Sequence, residues 1–378
     1  MSIIEFGQEV KPESVGLSQR GVDRIVSLFE QHFADGQHPA SQLVILKDEQ
    51  VILDRTLGVL KMGGYDSVLP STPFQAFSCT KPLACLCLHQ LIEKGLVEVD
   101  APVANYWPEF GQKGKESATI RHVFLHQAGI PQRGLYFQIP NWWNWERVTN
   151  FVAELPAEFE PGSQTAYHLV NQGFIVGEVV RRVSGRPIDI YMREEIFEPL
   201  GMCHSYLGLP REELNRAAEL YWGASDQRNT VLLFRQARHA VMPAATLNTS
   251  ARDLAIFYQM MLNQGSYNGH SFLKPETVAF MTSPGYAGYD HTLDLYIQWG
   301  HGFEVGGERP AEYRDQSYTL GEKSGLATFG HSGQRSCNAW ADSETGLVMI
   351  YLTNRLIENE ENNRRWQSMS DVVWEALI

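Results

Sequence analysis

The sequence predicts an α/β protein of the α+β kind, in which helices flank one antiparallel sheet built from both ends of the chain. Strand patterns occur near both termini, whereas helical patterns dominate the middle. The chain has 378 residues, more than the roughly 250–300 at which a single core stops growing. We therefore expect a discontinuous sheet domain, 1–71 and 285–378, an inserted mostly helical domain, 72–284, and a functional site between them.

The first elements are an amphipathic helix and a hairpin. Between Leu17 and Phe33 the apolar residues recur at helical spacing, and Ser18 can cap the helix start. The apolar segments 42–47 and 51–57 flank the polar residues 48–50, which predicts two strands and a tight turn. A hairpin alone is too small for a stable sheet, so its partner strands must come from elsewhere in the chain.

Helical patterns fill the middle of the chain, and strand patterns return after Trp299. The helices are predicted over 78–94, 172–183 and 250–263, and a glycine follows each of them. Strands are predicted over 300–305, 336–342 and 346–353, before a last helix that includes 372–377.

Composition excludes several partners. The net charge is −13 without a basic stripe, which argues against nucleic acid. No segment reaches the roughly 18 apolar residues of a membrane helix, and the N-terminus lacks the pattern of an export signal.

The five cysteines are an odd set, and Cys79, Cys85 and Cys87 lie in one predicted helix. Free thiols in a reducing cytoplasm are the expectation, and the sequence gives no prediction of the oligomeric state.

One tetrapeptide places a nucleophile beside a base. Ser78 and Lys81 form an S-x-x-K motif at the start of a helical run, and residues three apart share one face of a helix. A lysine with its ordinary pKa of about 10.4 is protonated at neutral pH, so burial has to depress that pKa. The neighbouring apolar side chains make such burial possible: Phe74, Phe77, Leu83 and Leu86.

A second S-x-x-K match, from Ser271 to Lys274, lies among turn signals. Asn268-Gly269 precedes it and Pro275 follows its lysine, so helical geometry is not expected there. The first match is therefore the better candidate.

The remaining motifs follow a recognisable order: 77–81, 96–110, 119–131, 161–163, 167–177, 199–202, 249–254 and 330–333. In this order the chain resembles the β-lactamase-related serine hydrolases over nearly its whole length. Within that superfamily it is most similar to the family VIII carboxylesterases and their acyltransferase relatives. The resemblance implies a β-lactamase/transpeptidase-like fold with Ser78 as the acylated nucleophile, Lys81 as its partner, and Tyr167 as a relay of the proton to the leaving alcohol.

The third motif has two candidates, Lys323-Ser324-Gly325 and His331-Ser332-Gly333. The second is preferred because Gly330 and the strand pair ending at Thr353 match the layout of the superfamily. A histidine in place of lysine weakens the binding of a carboxylate near neutral pH. In addition, the second motif reads Tyr167-His168-Leu169 rather than Tyr-x-Asn. Both departures favour esters over β-lactams.

The resemblance also suggests binding residues. The backbone N–H groups of Ser78 and Gln334 are expected to form the oxyanion hole, with Ser332 and Gly333 contacting substrate. Trp143, in the aromatic segment 141–145, either lines an apolar pocket or fills the core of the helical domain.

Other chemistries lack their motifs. His122 and His126 are four residues apart, but the glutamate of H-E-x-x-H is missing, so no metal site is expected. No G-x-S-x-G, G-x-G-x-x-G or Walker loop occurs, and no cofactor is predicted.

The resulting hypothesis is a hydrolase of small-molecule carboxylic esters. The alternatives are a β-lactamase, a D-amino-acid peptidase or an acyltransferase using the same acyl-enzyme, and a non-catalytic penicillin-binding-like module.

Overall fold

The computed structural model describes residues 3–131, 139–223, 229–230 and 232–378. Its strands, numbered in chain order, are β1 (Ala40–Lys47), β2 (Gln50–Gly58), β3 (Phe74–Gln75), β4 (Tyr206–Leu207), β5 (Tyr221–Trp222), β6 (Asn229–Thr230), β7 (Leu247–Thr249), β8 (Ser266–Tyr267), β9 (His270–Ser271), β10 (Tyr286–Asp290), β11 (Leu295–Trp299), β12 (Glu304–Val305), β13 (Thr328–Gly333), β14 (Cys337–Asp342), β15 (Leu347–Thr353) and β16 (Arg355–Leu356). Its helices are α1 (Gln19–Ala34), α2 (Lys81–Glu93), α3 (Ile120–Phe124), α4 (Trp145–Glu154), α5 (Asn171–Ser184), α6 (Ile188–Met192), α7 (Glu198–Leu200), α8 (Leu232–Ala237), α9 (Ala251–Leu262), α10 (Pro275–Thr282) and α11 (Asn359–Trp374).

One large antiparallel sheet organises the fold. Within the described residues it has eight strands, in the order β10-β11-β12-β13-β14-β15-β1-β2. Every neighbouring pair is antiparallel, and β1 lies between its hairpin partner β2 and the late strand β15. The predicted fold class, with a sheet built from both ends of the chain, is therefore confirmed.

Side chains along a strand alternate between the two faces of a sheet, and at the central strands β1 and β15 both faces are buried. Along β1, Leu43 and Ile45 belong to the core shared with α1 and α11, while Val44 and Leu46 belong to the core shared with the helical region. Burial on both sides explains why β1 and β15 consist of nearly continuous apolar residues rather than alternating ones.

The terminal elements lie close to their predicted bounds, with two exceptions, the first being that the last helix ends at Trp374 rather than at Leu377. The Ser18 side chain accepts a hydrogen bond from the Gly21 amide and so caps α1 as expected. The strand predicted over 300–305 is wrong for its first four residues. They form a tight turn, in which the Gly300 amide donates to the Phe303 carbonyl, between β11 and the short β12.

The segment between β2 and β10 is mostly helical, with α2 at its centre. All α2 side chains from Lys81 to Leu91 are buried, so this helix is enclosed on every side. The predicted helices over 78–94, 172–183 and 250–263 correspond to α2, α5 and α9, but residues Phe77–Thr80 form a 3₁₀ turn that leads into α2. No helix in the described ranges is both long and apolar enough to cross a bilayer.

Candidate active site

Ser78 lies on a tightly held turn where the sheet meets the helical region. The Ala76 amide donates to the Leu247 carbonyl (2.8 Å), and the Leu247 amide donates to the Thr80 hydroxyl (3.0 Å). Phe77 has a left-handed φ of 45°, a conformation that costs a non-glycine residue about 1–2 kcal/mol. The surrounding hydrogen bonds hold this strained residue, and with it Ser78, in one position.

Lys81 lies beneath Ser78, fully out of solvent. Its Nζ is 3.2 Å from Ser78 Oγ and donates to the carbonyls of Leu169 (2.8 Å) and Ala244 (3.3 Å). The side chain is only 1% exposed. Burial lowers the pKa of Lys81 to about 7, because desolvation penalises the charged ammonium. A substantial fraction of this lysine is therefore a neutral amine at neutral pH.

Tyr167 completes the group from the other side of Ser78. Its hydroxyl is hydrogen-bonded to Ser78, and burial raises its pKa well above the usual range. The Lys81 Nζ lies 4.6 Å from the centroid of the Tyr167 ring. The tyrosine is thus a neutral phenol, with a proton to give, that contacts both of the other groups.

The third-motif candidate on β13 runs directly beside the Ser78 turn. The Cys79 Sγ contacts the His331 carbonyl oxygen at 3.1 Å. A Cβ on Gly333 would lie 2.2 Å from the Ala76 carbonyl oxygen, so only glycine permits this approach. The rival segment Lys323-Ser324-Gly325 lies in the loop before β13 rather than on a strand.

His331 does not replace the cation of a lysine. Its Nδ1 is 2.7 Å from the Ser332 carbonyl oxygen, and since a carbonyl only accepts, Nδ1 carries the proton. Burial, together with the nearby Lys81, lowers the pKa of His331 to about 3. The imidazole is therefore neutral in the physiological range.

A cleft of about 340 Å³ opens above these groups. Five of the residues proposed from the sequence line it: Ser78, Tyr167, His331, Ser332 and Gln334. Its apolar wall consists of Leu169, Leu293, Leu295, Ile297, Trp299 and Trp366. Its polar wall consists of Glu304, Arg309, Ser317, Thr319, Arg335, Asn359, Asn362 and Asn363. A small molecule that carries both apolar and polar groups suits a cleft of this size and lining.

Two proposed binding residues are not in the described lining of this cleft. Gly333 packs beneath it, against Ala76. Trp143 is 48% exposed, and its indole N–H donates to the Gln236 carbonyl (3.3 Å). The neighbouring Trp142 is the one that points into the core, at 8% exposed.

Other residues of the site gave no recognisable sequence signal. Trp299 stacks on the Tyr167 ring, with centroids 5.5 Å apart and planes 12° from parallel. His126, considered above only as a metal ligand, contacts both of these rings, with its centroid 4.6 Å from that of Tyr167 and 4.8 Å from that of Trp299. The buried Asp290 accepts hydrogen bonds from Tyr167 and Trp299. In the described ranges, no three His, Cys, Asp or Glu side chains are grouped so as to hold a metal ion.

A serine, a lysine and a tyrosine in mutual contact, set between an antiparallel sheet and a helical region, define a serine hydrolase of the β-lactamase/transpeptidase-like fold. The chain belongs to the family described as Beta-lactamase, whose family model matches residues 25–373.

Named relatives and solved structures agree with this assignment. The esterase/beta-lactamase LipL of Mycobacterium tuberculosis is 28% identical over 88% of this chain and 81% of the relative. The crystal structure of a family VIII carboxylesterase superposes with a TM-score of 0.81 at 26% identity, covering 96% of this chain and 99% of that one. A penicillin-binding protein homologue from Caulobacter crescentus gives the same four values.

Proposed function

We propose that this protein hydrolyses small carboxylic esters through an acyl-enzyme on Ser78. The observation that carries the proposal is the environment of Lys81. This lysine is buried, has a pKa of about 7 and lies 3.2 Å from Ser78 Oγ. A neutral amine at hydrogen-bonding distance from a serine hydroxyl is the arrangement required of a general base.

In the acylation step, the Lys81 amine takes the hydroxyl proton of Ser78 while Oγ forms a bond to the ester carbonyl carbon. The carbonyl oxygen becomes an oxyanion, which the backbone N–H groups of Ser78 and Gln334 stabilise as hydrogen-bond donors. Both residues line the cleft, and the left-handed φ of Gln334, 28°, belongs to the turn that follows β13.

Collapse of the tetrahedral intermediate breaks the bond to the leaving alkoxide, which takes the phenol proton of Tyr167. The resulting phenolate regains a proton from the Lys81 ammonium, which returns both groups to their starting protonation states. In deacylation, water gives a proton to Lys81 and attacks the acyl carbon, and Ser78 Oγ leaves with that proton. The sum is one ester and one water converted to one acid and one alcohol.

The residues at the second and third motif positions favour an ester over a β-lactam. His331 is neutral, because burial lowers its pKa to about 3, so it offers no fixed charge to the carboxylate of a β-lactam. The second motif supplies Leu169 to the cleft rather than an amide. The resemblance to a family VIII carboxylesterase and to LipL supports the same choice.

The test is hydrolysis of a p-nitrophenyl ester series and of nitrocefin, with intact-protein mass spectrometry to detect an acyl adduct. Wild type and Ser78→Ala are compared with Ser271→Ala, which alters the exposed serine of the second S-x-x-K match and serves as the matched control. We expect ester turnover and an adduct in wild type and Ser271→Ala, and neither in Ser78→Ala.

Three other outcomes would change the proposal. Turnover that survives in Ser78→Ala would mean that another residue is the nucleophile. Nitrocefin turnover approaching ester turnover would favour a β-lactamase. Transfer of the acyl group to an added alcohol in preference to water would favour an acyltransferase.

A further inference from the structure

Three consecutive backbone amides around Tyr167 are held by only two residues. The amides of Ala166 and His168 donate to His126, one to its carbonyl oxygen (3.0 Å) and the other to its ring Nδ1 (3.1 Å). The amide of Tyr167 itself donates to Oδ1 of Asp290 (2.9 Å). The main chain of the tyrosine is therefore fixed on both sides and at its centre.

Asp290, at the end of β10, is completely buried. Its Oδ1 also accepts the amides of Thr292 (2.9 Å) and Leu293 (3.0 Å), and its Oδ2 accepts the indole N–H of Trp299 (3.1 Å). Four donors thus converge on one carboxylate. Such charge-assisted hydrogen bonds are stronger than those between neutral groups.

These contacts exceed what a turn requires. The bonds to Thr292 and Leu293 are local and would be sufficient to order the β10–β11 turn. The other two come from outside this turn, one from the backbone of Tyr167 and one from the ring of Trp299, which stacks on the Tyr167 ring at 5.5 Å. One carboxylate therefore orients both the main chain of the tyrosine and the aromatic surface against which its phenol rests.

We propose that Asp290 is a positioning residue for the proton transfer by Tyr167: it fixes the phenol toward Ser78 by holding the Tyr167 amide and the Trp299 ring at once. This inference rests on the proposed ester hydrolysis through Ser78. The physical requirement is geometric, since a displacement of about 1 Å in a reacting group can lower a rate about 100-fold.

Asparagine tests this role because it offers a single acceptor oxygen. In Asp290→Asn that oxygen can serve either the backbone amides or the Trp299 N–H, while the new NH₂ group faces a donor at the remaining position. We expect kcat for a p-nitrophenyl ester to fall about 10- to 100-fold with KM changed less than about threefold. Adding Trp299→Phe removes the opposed donor and keeps a stacked ring, so we expect it to restore part of kcat.

The decisive experiment combines these variants with Tyr167→Phe. If Asp290 acts through the phenol, Asp290→Asn lowers kcat by less than about threefold once the phenol is absent, whereas independent effects would multiply. Equal losses in both backgrounds would overturn the proposal. The same cycle is measured with Asp290→Ala, which removes every acceptor.

Asp342 supplies a matched control. It lies at the end of the β13–β14 pair that is away from Gly333 and the Ser78 turn. It is also buried, and its carboxylate accepts from the amide (2.7 Å) and hydroxyl (2.8 Å) of Thr345 and from the hydroxyl of Thr328 (2.7 Å). We expect Asp342→Asn to lower thermal stability while changing kcat less than about twofold, with or without Tyr167. If Asp342→Asn lowered kcat as much as Asp290→Asn does, the effect of Asp290 would be one of stability alone, and the positioning role would be overturned.

Failure of this inference is distinguishable from failure of the proposed function. If wild type forms no acyl adduct, ester hydrolysis fails, and the crystal structure of Asp290→Ala still decides the geometric point. A Tyr167 ring displaced from the Trp299 stack supports the positioning role, and an unmoved ring overturns it. If the adduct forms and Ser78→Ala abolishes it, the double-variant cycle decides the question alone.

Discussion

Among the described residues two lysines are buried, Lys81 and Lys115, each 1% exposed. Both donate to backbone carbonyls. The Nζ of Lys115 bonds to the carbonyls of Gln112 (2.9 Å), Ala153 (3.1 Å) and Leu155, the last two near the end of α4. Burial lowers the pKa of both lysines, to about 7 for Lys81 and about 8 for Lys115.

The difference between the two lies in the third partner. Lys81 has the hydroxyl of Ser78, a residue that lines the cleft, in place of a third carbonyl. Lys115 instead contacts the Gln112 carbonyl, two carbonyls near the end of α4 and the face of Phe110. A depressed pKa therefore marks burial in both places, but of the two lysines Lys81 is the one whose partner is a serine hydroxyl. This partner atom, rather than the pKa shift, is the reason for proposing Lys81 as the functional lysine.

The largest expected effect separates the two lysines by activity. We expect Lys81→Met to lower kcat/KM for a p-nitrophenyl ester on the order of 10³-fold, because in the described part of the chain no other amine is hydrogen-bonded to Ser78 Oγ. Lys115→Met should stay within about twofold of wild type by the same steady-state assay. Similar losses of kcat/KM in the two variants would contradict the proposed difference between the two lysines.

A second difference concerns stability as a function of pH. Between the folded pKa of about 7 and the unfolded value of 10.5, the unfolded chain binds a proton at Lys81 that the folded chain does not. The free energy of unfolding therefore rises with pH across this window. From pH 7 to 9, wild type should gain about 2 kcal/mol relative to Lys81→Met and about 1 kcal/mol relative to Lys115→Met.

Urea unfolding at both pH values measures these differences. Equal pH dependence in wild type and Lys81→Met would show that Lys81 keeps its proton when the protein folds.

The pH dependence of kcat/KM should follow the titration of Lys81 and not that of Lys115. Protonated Lys81 cannot take the Ser78 proton, so kcat/KM should rise about tenfold between pH 6 and 8 and then level off. Lys115→Met should show the same midpoint near pH 7. A profile that is flat over this range, or a midpoint that moves in Lys115→Met, would contradict the assignment.

The smallest effect is expected at Trp143. This residue lies two positions before α4, at the end of the helix away from Lys115, and its side chain is half-exposed and absent from the described cleft lining. We expect Trp143→Ala to change kcat/KM by less than about twofold for every acyl length in a p-nitrophenyl series. A loss confined to long acyl chains would instead restore Trp143 as part of an acyl pocket.

The parts of the site that depend on local geometry could be predicted from the sequence. Ser78 and Lys81 are three residues apart, and a helical turn brings such residues together whatever the rest of the fold does. The apolar runs of β1 and β15 likewise predict buried strands, since each run exceeds what a half-exposed strand would contain.

The parts that depend on long-range packing could not be predicted in this way. Asp290 meets the Tyr167 amide across 123 positions of sequence, and no periodicity reports such a contact. An aromatic run such as 141–145 fits a core and a pocket equally well from composition alone. Packing turns Trp142 inward and leaves Trp143 half-exposed, a choice that adjacent tryptophans do not encode.

The position of β1 between β2 and β15 has a consequence for synthesis of the chain. In the register, Gln42 pairs with Leu352, so one edge of β1 has no partner until some 300 further residues are made. At about 5–20 residues per second this interval lasts about 15–60 s. Throughout it the apolar β1 segment lacks the partner strand that covers this edge in the folded protein, and unpaired apolar edges promote aggregation. A chain ending before β15 should therefore aggregate during translation, even though it would already contain Ser78, Lys81 and Tyr167.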